Sequence, residues 1–173
     1  MHVGQIYKVD CANGTGIRVS LFVSGCTIHC KGCFNAQTWD FNFGVPYDDK
    51  IENFILSELS KSYYEGITIL GGEPFEPSNQ ETIVQLIRRI KKELPKKSIW
   101  MFSGYVYDRD LIAGGKKHTD VTDEILDSID VLVDGPFMIE KKNIMLRFRG
   151  SENQRIIDMR ETRKTGAVVL KME

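Results

Sequence analysis

Ile17-Arg18-Val19-Ser20-Leu21-Phe22-Val23 runs straight into Ser24-Gly25-Cys26-Thr27-Ile28-His29-Cys30-Lys31-Gly32-Cys33-Phe34-Asn35. The first stretch alternates and then turns fully apolar, as a strand buried on one or both faces does. The second is a glycine-bearing loop at the C-terminal end of that strand. It carries three of the four cysteines, with three residues and then two between them. Three thiolates on so short a loop can converge on one centre, and soft sulfur donors select zinc, copper(I) or iron–sulfur clusters. Zinc would want a fourth ligand, for which His29 or Cys11 is on hand; a cubane cluster can be held by three cysteines with its fourth iron open to a substrate.

Downstream, the strand-then-loop pattern repeats. Asp48 or Asp49 can cap a helix from Lys50 to about Tyr64, with Ile51, Phe54, Ile55 and Leu59 on one face, stopped by Gly66. Ile67-Thr68-Ile69-Leu70 is a second strand, Ser78 caps a helix over about 79–93 with Ile83, Leu86, Ile87 and Ile90 apolar, and Ser98-Ile99-Trp100-Met101-Phe102 is a third. A helix from about Asp120 to Ser128 leads to a fourth strand, Val131-Leu132-Val133. Strands alternating with helices predict right-handed crossovers and a parallel sheet. With 173 residues the chain is too short for a complete eight-unit barrel, which takes about 250. The expected fold is therefore α/β, a single domain over 1–173 built as a partial (β/α) barrel or curled open, mostly parallel sheet with helices on the outer face. Residues 1–16 offer only a turn at Asn13-Gly14-Thr15-Gly16. The aromatics Trp39, Phe41, Phe43 and Tyr47 are expected to pack over the cysteine loop. Past Lys141 the chain is basic and glycine-punctuated to Ser151, with short strands expected at Gln154 to Asp158 and Ala167 to Leu170.

In a parallel sheet all C-terminal strand ends lie on one side, where ligands bind. The four ends here are the cysteine loop, Gly71-Gly72-Glu73, Ser103-Gly104 and Asp134-Gly135, each polar or glycine-rich after a greasy strand. Gly71 and Gly72 allow close backbone approach to a ligand, and Pro74 holds Glu73 extended.

A Cys-x3-Cys-x2-Cys loop after a strand resembles the cluster loop of the radical S-adenosylmethionine enzymes. That resemblance implies a [4Fe-4S] cluster on Cys26, Cys30 and Cys33, with the amino and carboxylate groups of S-adenosyl-L-methionine on the remaining iron. It further implies that Gly71, Gly72 and Glu73 hold the amino group of the methionine part, that Ser103 and Asp134 meet the ribose or carboxylate, and that the adenine approaches Gly32 and Phe34. Many members carry an aromatic residue just before the third cysteine; this chain has Gly32 there and Phe34 just after. Lys31-Gly32-Cys33-Phe34-Asn35, Val133-Asp134-Gly135-Pro136-Phe137 and Arg149-Gly150-Ser151-Glu152-Asn153-Gln154-Arg155 are similar to stretches of one subgroup, the activating proteins of anaerobic ribonucleoside-triphosphate reductase. The implied activity is that of an oxidoreductase: reductive cleavage of S-adenosylmethionine to methionine and a 5′-deoxyadenosyl radical, which takes hydrogen from a glycine of the partner reductase. A flavodoxin-like or ferredoxin-like reductant and an oxygen-poor cell go with it. The rival readings are activation of another glycyl-radical enzyme such as pyruvate formate-lyase and, in another class, a zinc-binding interaction module.

Composition sets the remaining bounds. The 23 basic and 24 acidic residues leave a net charge of −1, so there is no general field for nucleic acid or an anionic membrane. No apolar stretch is long enough to span a bilayer, and Met1-His2-Val3-Gly4-Gln5 lacks the build of a signal peptide, so a cytoplasmic location is expected. Three bunched cysteines in such a compartment point to metal rather than disulfides. His29 is read as a non-ligand, Cys11 as a small buried or half-buried thiol, and Lys116, Lys117, His118, Arg147 and Arg149 as solvated loop charges or a patch for an acidic partner.

Overall fold

The computed structural model describes residues 1–172. Eight strands form one sheet: β1 (His2–Asp10), β2 (Arg18–Val23), β3 (Val45–Pro46), β4 (Gly66–Gly71), β5 (Ser98–Phe102), β6 (Val131–Asp134), β7 (Arg155–Asp158) and β8 (Leu170–Met172). Their spatial order is β3-β1-β2-β4-β5-β6-β7-β8. The central four, β2, β4, β5 and β6, run parallel. The outer pairings, β1 with β2, β1 with β3, β6 with β7 and β7 with β8, are antiparallel. This corrects the expected mostly parallel sheet to a mixed one. A parallel neighbour needs a crossover of a dozen or more residues, usually helical. Only the segments between β2 and β6 contain such crossovers, while β1 reaches β2 through residues 11–17 alone.

The helices follow from the pattern with shifted ends. In α1 (Asp49–Leu59) the Asp48 carboxylate caps by accepting from Ile51 N at 2.9 Å. Ile55, Leu56 and Leu59 are buried, but Phe54 is exposed and lies under the ammonium of Lys8. In α2 (Pro77–Glu93), Glu76 rather than Ser78 precedes the first turn and Pro77 occupies it, where its missing N–H costs nothing. The remaining helices are α3 (Thr122–Ser128) and α4 (Met159–Thr165). The sequence reading has no counterpart of α4; Asp158 caps it and Gly166, at φ 71°, ends it.

Alternation along the strands divides the side chains between two faces. Val19, Leu21, Val23, Ile67, Ile69, Ile99, Met101, Leu132 and Ile157 join the main core with Ile55, Leu59, Ile83, Leu86, Ile87 and Ile90 of the helices. The opposite face carries a smaller cluster of Trp100, Val131, Val133 and Ile156, with Phe102 and Phe148 packed on it. Arg18 shares that second face. It is fully buried and donates to Thr68 Oγ1, Thr15 O, Ser98 Oγ, Ile67 O and Ser98 O, with its guanidinium 5.5 Å from the Trp100 ring. Burial among neutral acceptors pushes its pKa down to about 10, against the pull of Glu65, Asp130 and Asp10.

Candidate cofactor site

Register brings the four parallel strand ends to one level. Val23 pairs with Gly71, Ile69 with Met101 and Phe102 with Val133. A cavity of about 350 Å³ opens over these ends, and Cys26, Cys30, Cys33, Gly71, Gly72, Glu73 and Ser103 all line it. The cysteine loop is pinned by backbone bonds to the short helical turn Ala36–Trp39 and to the end of β4: Gly25 N donates to Thr38 O at 2.8 Å, Cys26 N to Trp39 O at 3.2 Å, and Glu73 N to Gly25 O at 2.8 Å. Two glycines make this seating possible. Gly71 sits at φ 109°, and a Cβ on Gly72 would lie 2.7 Å from Gly25 O and 2.9 Å from Thr38 O. Phe41 fills the space beside Gly25, so part of the aromatic run does pack on the loop as expected.

The sulfurs sit among N–H donors. Asn35 N donates to Cys33 Sγ at 3.4 Å. Burial pushes the Cys26 thiol up to about 11, partly offset by the N–H groups of Ile28 and His29. Burial likewise raises Cys30, opposed by the Phe137 N–H. Among the described residues, no three His, Cys, Asp or Glu side chains converge on a single ion. Three thiols along one cavity wall, with N–H donors to sulfur of the kind that tune cluster potentials, fit the multi-iron group. His29, at φ 52°, stacks on Trp39 with centroids 4.5 Å apart, and neither it nor the exposed Cys11 lines the cavity.

Glu73 is buried and braced. Oε1 accepts from Phe75 N and Ser103 Oγ, both at 2.9 Å, and Oε2 accepts from Gly104 N at 2.8 Å. A carboxylate has about four acceptor positions, so one on Oε2 is left over. Burial raises its pKa to about 7, in spite of the three donors and with Glu76 adding to the rise.

Other expected residues are placed differently. Asp134 is buried but does not line the cavity; its carboxylate pairs with Arg155 and accepts from Tyr107 N at 2.8 Å, and Gly135 takes the place on the wall. Gly32, at φ 73°, lies off the wall, where a Cβ would meet Ile139 Cδ1 at 2.6 Å. Phe34 is on the rim, its ring 5.2 Å from that of Phe137. The run from 149 to 155 is a clamp. Gln154 Oε1 accepts from Gly150 N at 2.8 Å and Ser151 N at 3.1 Å, and its Nε2 donates to Gly135 O at 3.1 Å. Arg149, Gly150 and Gln154 therefore form one wall.

Sequence reasoning missed Glu76 and Lys117. Glu76 Oε1 accepts from Thr27 N at 2.9 Å and from Thr27 Oγ1 at 2.5 Å, and Oε2 pairs with Lys117 Nζ at 2.7 Å. Burial would raise this carboxyl, but Lys117 and Thr27 outweigh it and hold it below the ordinary value. Thr27 stands between Cys26 and Cys30, so this buried pair fixes the cysteine loop. Lys117 is thus no solvated loop charge. Glu76-Pro77 repeats Glu73-Pro74, and that doubling was the available signal.

The chain is similar to known proteins along most of its length. Residues 12–157 match the family model described as a 4Fe-4S single cluster domain. An anaerobic ribonucleoside-triphosphate reductase-activating protein of Escherichia coli K12 is 40% identical over 162 residues, 92% of this chain and 100% of the relative. One from Haemophilus influenzae is 40% identical over 156 residues, 89% of this chain and 96% of the relative. One from Enterobacteria phage T4 is 37% identical over 159 residues, 90% and 93% respectively.

Proposed function

This chain belongs to the family of anaerobic ribonucleoside-triphosphate reductase-activating proteins, and from that premise we infer that it is a radical S-adenosylmethionine activase acting on a glycine of such a reductase. The observation that carries this is the shared wall: three loop cysteines and the Gly71-Gly72-Glu73 turn face one cavity at the C-terminal ends of the parallel strands.

Cys26, Cys30 and Cys33 would hold the [4Fe-4S] cluster. The bound cluster and cofactor supply one-electron reductive cleavage of the sulfonium, and with it the means of removing a hydrogen atom from glycine. Gly71, Gly72, Glu73 and Ser103 hold the methionine end, the spare acceptor on Glu73 Oε2 receiving its ammonium. Phe34 lies on the rim for the adenine. Asp134 and Gly32 act at one remove, Asp134 by fixing Arg155 and the Tyr107 turn, Gly32 by admitting Ile139. The apolar Ile28, Leu70, Phe102 and Phe148 keep water from the reacting atoms. A half-barrel curl of the sheet goes with this reading, supported by helices on one face and by residues lining the cavity from Ala12 to Gln154 on the other. So do a flavodoxin-like or ferredoxin-like electron donor and a cytoplasmic location. No described helix is long and apolar enough to cross a membrane.

The test is anaerobic reconstitution with iron and sulfide, followed by electron paramagnetic resonance of the reduced protein with and without S-adenosylmethionine. A [4Fe-4S]⁺ signal that shifts on adding the cofactor and is lost in Cys30→Ala supports the reading. A colourless protein holding one zinc overturns it.

A further inference from the structure

The rim of the cavity has a feature that cofactor binding leaves unexplained. Ile144 and Met145 stand 87% and 83% exposed, beside Leu146, which lines the cavity; Phe34, which packs on Phe137 and beside Gly150 at the base of the same loop, is 65% exposed. Two such apolar side chains side by side are costly in water unless something covers them. Nor do they belong to a slack tip. Met145 N donates to Asn143 Oδ1 at 3.0 Å, Leu146 N to Asn143 O at 3.3 Å, and Asn143 N to Gly150 O at 3.3 Å, where the Gln154 clamp takes over. The loop is held with its apolar tip out.

The charge around it is mostly basic, with Glu140 and Glu152, the latter accepting from Asn143 Nδ2 at 3.0 Å, as the acidic exceptions. Lys141, Lys142, Arg147 and Arg149 fall within nine residues of a chain whose net charge is −1, and none of them makes an ion pair among the described residues. Lys142 Nζ lies 5.1 Å from the centre of the Phe34 ring, so the basic residues and that ring form one continuous lip.

We propose that this lip, Phe34 together with the 138–147 loop, is the docking surface for the glycine-bearing loop of the partner reductase, entering as an extended segment with acidic residues beside apolar ones. The inference rests on the activase reading above and adds where the partner binds. Continuity with the cavity selects this occupant: a backbone Cα that must lose hydrogen inside has to cross this rim, and Ile144 and Met145 mark the crossing. Paired basic lips repel, so a second copy of the chain fits poorly. Exposed apolar anchors ringed by charge are the usual build of an interface centre.

The test uses the reconstituted wild-type protein, Ile144→Ser/Met145→Ser and Lys141→Glu/Lys142→Glu, each with purified anaerobic ribonucleoside-triphosphate reductase. Three quantities are read: methionine release by a chemical reductant without partner, the dissociation constant for the reductase, and the glycyl-radical signal at sub-saturating reductase. In Ile144→Ser/Met145→Ser, methionine release stays at the wild-type rate while reductase binding weakens about tenfold or more, and the radical signal falls with it, recovering at saturating reductase. The lysine variant binds more weakly and loses the salt dependence of the wild type. Wild-type affinity in both variants overturns the docking surface, as does a change confined to self-association measured by sedimentation. A wild-type protein that releases no methionine, or leaves no glycyl radical, overturns instead the activase reading on which the inference rests.

Discussion

Glu73 and Glu76 lie three residues apart, each buried and each followed by proline, yet their carboxyls shift in opposite directions. Burial raises Glu73 to about 7, so its protonated form favours the fold; that contribution is complete below the free value of 4.5 and is lost as the pH climbs through 7. A cationic ammonium needs the ionised form. Cofactor affinity of the cluster-loaded protein is therefore expected to rise with pH through about 7. In Glu73→Gln it should be flat with pH and about ten- to a hundredfold weaker, the worth of one charge-assisted hydrogen bond; calorimetric titration across that range checks both. Glu76 is held below its ordinary value by Lys117 and Thr27, so its contribution is present above 4.5 and lost as the pH falls below it. Lys117→Met leaves a carboxylate buried without its cation and should cost about 3 kcal/mol in urea unfolding, and the acid-side loss seen in the wild type should vanish. Which lysine of Lys116-Lys117-His118 turns inward could not be read from the chain, because only the packed Glu76 distinguishes them.

Among the elements, the 149–155 clamp makes the sharpest prediction. Gln154→Ala removes three hydrogen bonds that join Gly135 to Gly150 and Ser151. Amide exchange across 142–151 is expected to quicken about tenfold, a loss of about 1.4 kcal/mol of local stability, while exchange in β4 and β5 stays at the wild-type rate. The same contrast explains what was legible beforehand. β2, β4, β5 and β6 are covered on both faces and read as apolar runs, and α1 and α2 are long enough to show a helical period. β1 buries only Val3 of its nine residues, so it carries no alternation to find. The seven residues of α4 bury only Met159 and Thr162, too few for a period. Asp134 was placed at the right strand end, but the Arg155 that claims its carboxylate comes from β7, a neighbour whose register no local pattern reveals.

At the scale of the whole molecule, Arg18 joins the sheet's interior to the loop that covers its second face. Its acceptors come from Thr15, Ile67, Thr68 and Ser98, and all lose their donor in Arg18→Met. Stranding them should cost about 3 kcal/mol, which for a domain of this size lowers the melting temperature by about 6–12 °C. The cysteine loop was legible as a candidate ligand set because its chemistry is local, and the four strand ends were legible as its setting; the wall from Leu146 to Gln154 was not, because no local pattern aims that segment at the sheet. The whole lining runs from Ala12 to Gln154, whereas the last cysteine of the loop is Cys33. Translation thus delivers every sulfur well before it delivers the enclosure. A nascent chain arrested near residue 140 would carry the full set of thiols and all four strand ends but lack Leu146, Phe148, Arg149, Gly150 and Gln154, so premature termination leaves the thiols in a chamber with one wall missing.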